Sequence, residues 1–109
     1  MPTEEQKRIP RLIVSLTVVL SKKEALYVVE TENVSDTGLR LHSKEVFPVG
    51  TQLHLVFGQP PELPRITADG IVRWSDVGKG MGVEFTSISA DDRQVLLKFV
   101  TSQPRHEQT

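Results

Sequence analysis

The chain has 109 residues, 38% of them apolar and 25% charged, and its 13 basic and 14 acidic side chains give a formal charge of −1. That length and balance suit one globular domain able to bury about 65% of its unfolded surface, and they argue against disorder throughout and against a general polyanion binder. The absence of cysteine excludes a disulfide framework, a thiolate metal site and a cysteine nucleophile.

Residues 1–6 are polar and acidic, lack the apolar stretch of a secretory signal, and read as a flexible N-terminal tail. The basic knot Lys7-Arg8-Ile9-Pro10-Arg11 follows. Pro10 disfavours helix at Ile9 and has no N–H for a ladder, so this segment is expected to be an extended linker. From Leu12 to Leu20 the chain alternates, with Leu12, Val14, Leu16, Val18 and Leu20 on one face, and one strand is expected. Ser21–Glu24 is a polar connection, Leu26–Val34 a second strand, and Ser35-Asp36-Thr37-Gly38 a turn. Leu39–Ser43 alternates again, with Leu39 and Leu41 inward and Arg40 and His42 outward.

Phe47-Pro48-Val49-Gly50 punctuates the chain before Gln52–Phe57, where Leu53, Leu55 and Phe57 share a face. Gly58–Pro64 holds three prolines in seven residues and reads as a surface loop. Ile66–Trp74 is the next strand, with Ile66, Ala68, Val72 and Trp74 on the core side and Gly70 marking a bend or bulge. Asp76–Lys79 turns the chain, and Met81, Val83 and Phe85 form the inner face of a final strand. Only the end is helical in pattern: Ser89 caps, Asp92 stands in a capping-box position, and Val95, Leu96, Phe99 and Val100 form an apolar stripe stopped at Gln103-Pro104.

The expectation is a mainly all-β domain over residues 7–102, a six-stranded antiparallel barrel with one C-terminal α-helix, followed by a flexible tail at 103–109. No apolar run reaches the roughly 18 residues of a membrane span. Membrane insertion is therefore not expected, and the expected location is the cytoplasm.

The usual catalytic constellations are missing. There is no Gly-x-Ser-x-Gly elbow, no Walker loop and no dinucleotide-binding Gly-x-Gly-x-x-Gly. Gly78-Lys79-Gly80-Met81-Gly82 reads as a hairpin, and the carboxylate pairs Glu4-Glu5 and Asp91-Asp92 lie in a tail and at a helix start. His42, His54 and His106 lack metal-binding spacing and read as solvent-facing, so neither a metal nor an enzyme is expected. The six aromatics, most of them on expected core faces, are too few for a nucleic-acid stacking surface.

Two features remain: the basic knot and Asn33-Val34-Ser35-Asp36-Thr37-Gly38. Taken singly they read as a charged strand edge and a turn. Taken together they pair guanidinium groups, which fork onto phosphate or the O6/N7 edge of guanine, with amide and hydroxyl hydrogen-bonding groups. The chain resembles PilZ domains, bacterial receptors for cyclic di-GMP, whose signature is Arg-x-x-x-Arg in an N-terminal linker followed by Asp/Asn-x-Ser-x-x-Gly. Asn33, Ser35 and Gly38 match the second motif, and Arg11 matches the second arginine of the first. Lys7 stands in place of the first arginine, with Arg8 beside it. Pro48-Val49-Gly50-Thr51, Gly70-Ile71-Val72-Arg73-Trp74 and Gly80-Met81-Gly82-Val83-Glu84-Phe85 extend the resemblance over roughly residues 7–100.

The resemblance implies a barrel with a flanking helix and a cyclic di-GMP site built from Lys7, Arg8, Arg11, Asn33, Ser35 and Gly38. Arg11 would contact phosphate and guanine, and Arg8 would do part of the work of the missing arginine. Asn33 would read a guanine edge, Ser35 would bond phosphate or base, and Gly38 would permit close approach. It implies a non-enzymatic signalling domain that passes the signal to a protein partner, with residues 1–11 folding over the ligand. Lys7 keeps the charge but loses the planar fork. The alternative is therefore a degenerate adaptor that no longer binds the nucleotide and serves as a protein-interaction module in motility, pilus or signalling complexes.

Overall fold

Apolar residues at every second position build seven strands within residues 10–102, the part of the chain that the computed structural model describes. The strands are β1 (Leu12–Ile13), β2 (Thr17–Lys22), β3 (Ala25–Val34), β4 (Gly38–His42), β5 (Gln52–Gln59), β6 (Leu63–Asp76) and β7 (Gly80–Ile88); a helix, α1 (Ala90–Ser102), follows. Lys7, Arg8 and both tails lie outside the described residues.

Every pairing is antiparallel, and the order β3-β2-β5-β6-β7-β4 returns to β3, closing a six-stranded barrel. The seventh strand, β1, pairs through Leu12 and Ile13 with Val34 and Asn33, whose other side is taken by β4. The inward positions fill the barrel with Val18, Leu20, Leu39, Leu41, Leu55, Ile66, Val72, Met81 and Val83, all buried. Side chains of this kind contribute about 1.5–3 kcal/mol each on full burial.

The helix starts where the sequence places it. The Ser89 hydroxyl accepts the Asp92 N–H at 3.0 Å, the cap of an N-terminus that Asp91 and Asp92 also favour electrostatically. Its stripe buries Leu96, Phe99 and Val100, with α1 packed against β6. Gly70 sits at a register shift in the β6–β7 ladder, as expected of a glycine within a strand pattern.

Three expectations need correction. The strand expected over Leu12–Leu20 keeps its inward face but is broken into β1 and β2. At the break the Thr31 hydroxyl accepts the Leu16 N–H at 2.9 Å and donates to the Val14 carbonyl, taking the place of a ladder bond. The surface loop expected over Gly58–Pro64 shrinks to a turn at Pro60–Glu62, and Leu63 is wholly buried. Pro64 is accommodated because the β5–β6 ladder is irregular between Phe57 and Gln59, so no N–H is required of it there. Finally, Trp74 is not part of the core.

Candidate functional site

The misplacement of Trp74 has a local cause. Val72 pairs with Val83, yet Trp74, two residues on, pairs with Gly82, one residue back. The extra residue is a β-bulge, and it moves Trp74 from the inner to the outer face. Gly82 makes room for it, since a Cβ at that position would overlap the indole. A second register shift, between Thr31 and Asn33 in the β3–β4 ladder, pairs Asn33 with the outward Arg40. Arg40 in turn pairs with Gly82. Four strands thus present Asn33, Arg40, Gly82 and Trp74 in one row on the outside of the barrel.

Arg11 closes one end of the row. Its Nη1–H donates to Asn33 Oδ1 at 3.0 Å, joining the end of the linker to the first residue of the Asn-x-Ser-x-x-Gly segment. The cleft so formed encloses about 430 Å³, bounded by Arg11, Asn33, Gly38, Arg40, Arg73 and Trp74. That lies within the ~300–1,000 Å³ of small-molecule sites. The Arg40 guanidinium lies 4.7 Å from the Trp74 ring centroid, within cation–π range, and 3.1 Å from Glu32. Arg73, next to Trp74 in the chain, pairs with Glu84 at 2.6 Å.

Partial burial, and then the positive charge of Arg40, lower the pKa of Arg11 from its ordinary value. The guanidinium remains protonated at physiological pH. The effect therefore reports mainly a guanidinium drawn partly out of water, with the Arg40 charge nearby adding to it. Among the described residues Arg11 has no carboxylate within ion-pair distance, and its bond to Asn33 leaves most of its five N–H donors free.

The structure therefore brings Arg11, Asn33 and Gly38 to one cleft. Ser35 stands behind its wall, fully buried. Its hydroxyl accepts the Thr37 N–H at 3.1 Å, shares a hydrogen bond with the Thr37 hydroxyl at 3.0 Å, and reaches the Gly38 carbonyl at 3.4 Å. The close approach that Gly38 permits is to the barrel itself, because a Cβ there would strike the Val83 carbonyl. The turn is also tied to the helix: Arg93 Nε donates to Asp36 Oδ2 at 3.2 Å.

Arg40 and Trp74 are the residues that motif matching misses. Arg40 was accessible as an outward side chain two positions past Gly38; Trp74 needed the bulge. The two described histidines are on the surface outside the cleft lining, His42 beside Glu32 at 3.5 Å and His54 beside Asp69 at 2.8 Å, and His106 lies outside the described residues. Among the described residues no group of three potential metal ligands gathers, and no helix is long and apolar enough to cross a membrane.

Comparison with known proteins adds to this geometry. The family model of the PilZ domain matches residues 5–102. No curated protein matches the chain. Among solved structures it is similar to the inhibitor of motility MotI/DgrA of Bacillus subtilis, with a TM-score of 0.79 and 23% identity over 94% of this chain and 53% of that one. It is also similar to the PilZ domain of CeSA from a cellulose-synthesizing bacterium, with a TM-score of 0.62 and 13% identity over 84% of this chain and 94% of that one. A third is the PlzA protein of Borreliella burgdorferi, solved in complex with c-di-GMP, with a TM-score of 0.62 and 15% identity over 90% of this chain and 43% of that one. These likenesses establish a shared fold, and the chain spans only about half the length of MotI/DgrA.

Proposed function

The chain belongs to the PilZ domain family, and from that membership we propose that it is a non-enzymatic signalling domain that binds cyclic di-GMP in the cleft beside Trp74 and passes the signal to a protein partner. The observation that carries this reading is the Arg11–Asn33 hydrogen bond, which joins the two motif segments at one site. Arg11 forks onto phosphate or the O6/N7 edge of guanine. Asn33 offers its amide to a guanine edge, and the outward indole of Trp74 holds the Arg40 guanidinium beside it. Lys7 and Arg8 add charge from the linker, Lys7 as a point charge without a planar fork. Ser35 and Gly38 serve the site through the turn and the tight β4–β7 contact that hold Asn33 and Arg40 in register.

The c-di-GMP in the PlzA complex and the inhibitory role named for MotI support the ligand and the signalling role. Drawing residues 1–11 onto the ligand would change the surface offered to a partner, provided the ligand binds the ordered state better. The test is calorimetric titration with cyclic di-GMP of the native chain and an Arg8→Ala/Arg11→Ala variant. Saturable heat lost in the variant is the expected result; no heat from the native protein at high micromolar concentration would sink the reading.

Lys7 favours a second reading, an adaptor whose nucleotide binding has lapsed. A charge-assisted hydrogen bond is worth about 1.5–3 kcal/mol, so losing one weakens binding by roughly tenfold to 150-fold. A pull-down that recovers the same partner equally with and without nucleotide would select the adaptor.

A further inference from the structure

The motif leaves two cations of the cleft without a role, Arg40 and Arg73, and Arg73 is paired with Glu84 at 2.6 Å. Arg40 lies outside both motif segments, yet the barrel aims it into the same cleft. It faces Asn33 across one ladder and Gly82 across the other, and its guanidinium sits over the Trp74 ring at 4.7 Å. We propose that Arg40 is a ligand-binding residue, the second guanidinium of the nucleotide clamp, delivered from β4 in place of the linker arginine that Lys7 replaces. This rests on the reading of the cleft as a cyclic di-GMP site.

Three observations converge on it. Arg11 and Arg40 flank Asn33, one through a hydrogen bond and the other through strand pairing, so an anion between them meets both. The present partner of Arg40, Glu32, is about as exposed as Arg40 itself, at 44% and 47% of side-chain area. An exposed pair of that kind is weak and readily exchanged for a phosphate. The backbone of Arg40 is fixed by the β4 ladders on both sides, so only its side chain has to be ordered on binding.

The reporter is built in. Trp74 is the single tryptophan of the chain, so emission excited beyond the absorption of Tyr27 reads this cleft. The full chain would be titrated with cyclic di-GMP, following both heat and Trp74 emission, for the native protein and for Arg40→Ala, Arg40→Lys, Arg11→Ala and Arg65→Ala, the last removing an exposed charge on β6 outside the cleft. Arg40→Ala is expected to weaken binding about 10- to 100-fold, as loss of a charge-assisted contact predicts. Arg40→Lys keeps charge and stem and so tests the fork even if the alanine variant folds poorly; a loss of about threefold or more is expected. Arg65→Ala should stay within about twofold.

Native affinity in both Arg40 variants, with binding lost in Arg11→Ala, would overturn the proposal and leave the cyclic di-GMP reading intact. Absence of any saturable signal from the native chain would remove both.

Discussion

Two faces of the barrel obey the same alternation and come out differently. Where β3, β2 and β5 pair, the ladders run without a register shift, and Val28, Val19 and Val56 stand side by side on the outside. Where β3, β4, β7 and β6 pair, the β3–β4 ladder shifts register once and the β6–β7 ladder twice. Asn33 and Trp74 each lie just past a slip. Regular pairing thus yields an apolar wall, and interrupted pairing yields a cleft with cations and an indole. The site is made by departures from the pattern that makes the fold.

Several substitutions would break or sharpen that contrast. The largest effect is expected at Gly38, where β4 meets β7. Gly38→Val drives side-chain atoms into the Val83 carbonyl and should cost about 3 kcal/mol, at the upper end of overpacking; thermal unfolding should show a midpoint lower by about 12 °C or more. Next comes Thr31→Val, an isosteric change that leaves the Leu16 N–H without its side-chain acceptor. A loss of about 1–3 kcal/mol is expected in urea unfolding, together with weaker nucleotide binding as β1 and Arg11 lose their seat.

Gly82→Val tests the bulged side directly. It should displace the indole, shift the Trp74 emission of the free protein, and cost about 1–2 kcal/mol. If the emission is unchanged, Trp74 does not depend on Gly82 for its position. The smallest effect belongs to the regular side: Val28→Thr should change stability by less than about 0.5 kcal/mol and leave cyclic di-GMP affinity unchanged. A marked loss of affinity there would erase the distinction between the two faces.

The regular features were readable because they depend on neighbours in sequence. Inward Leu39 and Leu41, outward Arg40 and His42, the shared face of Leu53, Leu55 and Phe57, and the Ser89 cap all follow from local spacing. The misjudged features depend on partners far away in the chain. Thr31 interrupts the strand at Val14–Leu16 from 15 or more residues downstream. Trp74 turns outward because of how β6 meets Gly82, which period-two counting along β6 cannot register. The site was legible as two motifs that ought to meet, and Arg11 and Asn33 do meet. Its third side, Arg40 over Trp74, became visible only once the strands were paired.

Closure of the barrel also limits how a partner can be recognised. Joining β3 to β4 uses the backbone donors and acceptors that an open sheet would leave along its rim. Among the described residues three stretches of rim remain: β1 with two residues, the part of β6 before its pairing with β7, where Pro64 has no amide hydrogen to offer, and Ala25–Val29 of β3, which precedes the pairing of β3 with β4 at Glu30. An incoming strand would therefore find its longest backbone template along Ala25–Val29. Leu26 and Val28, both exposed beside that rim, would give such a strand apolar side chains to pack against.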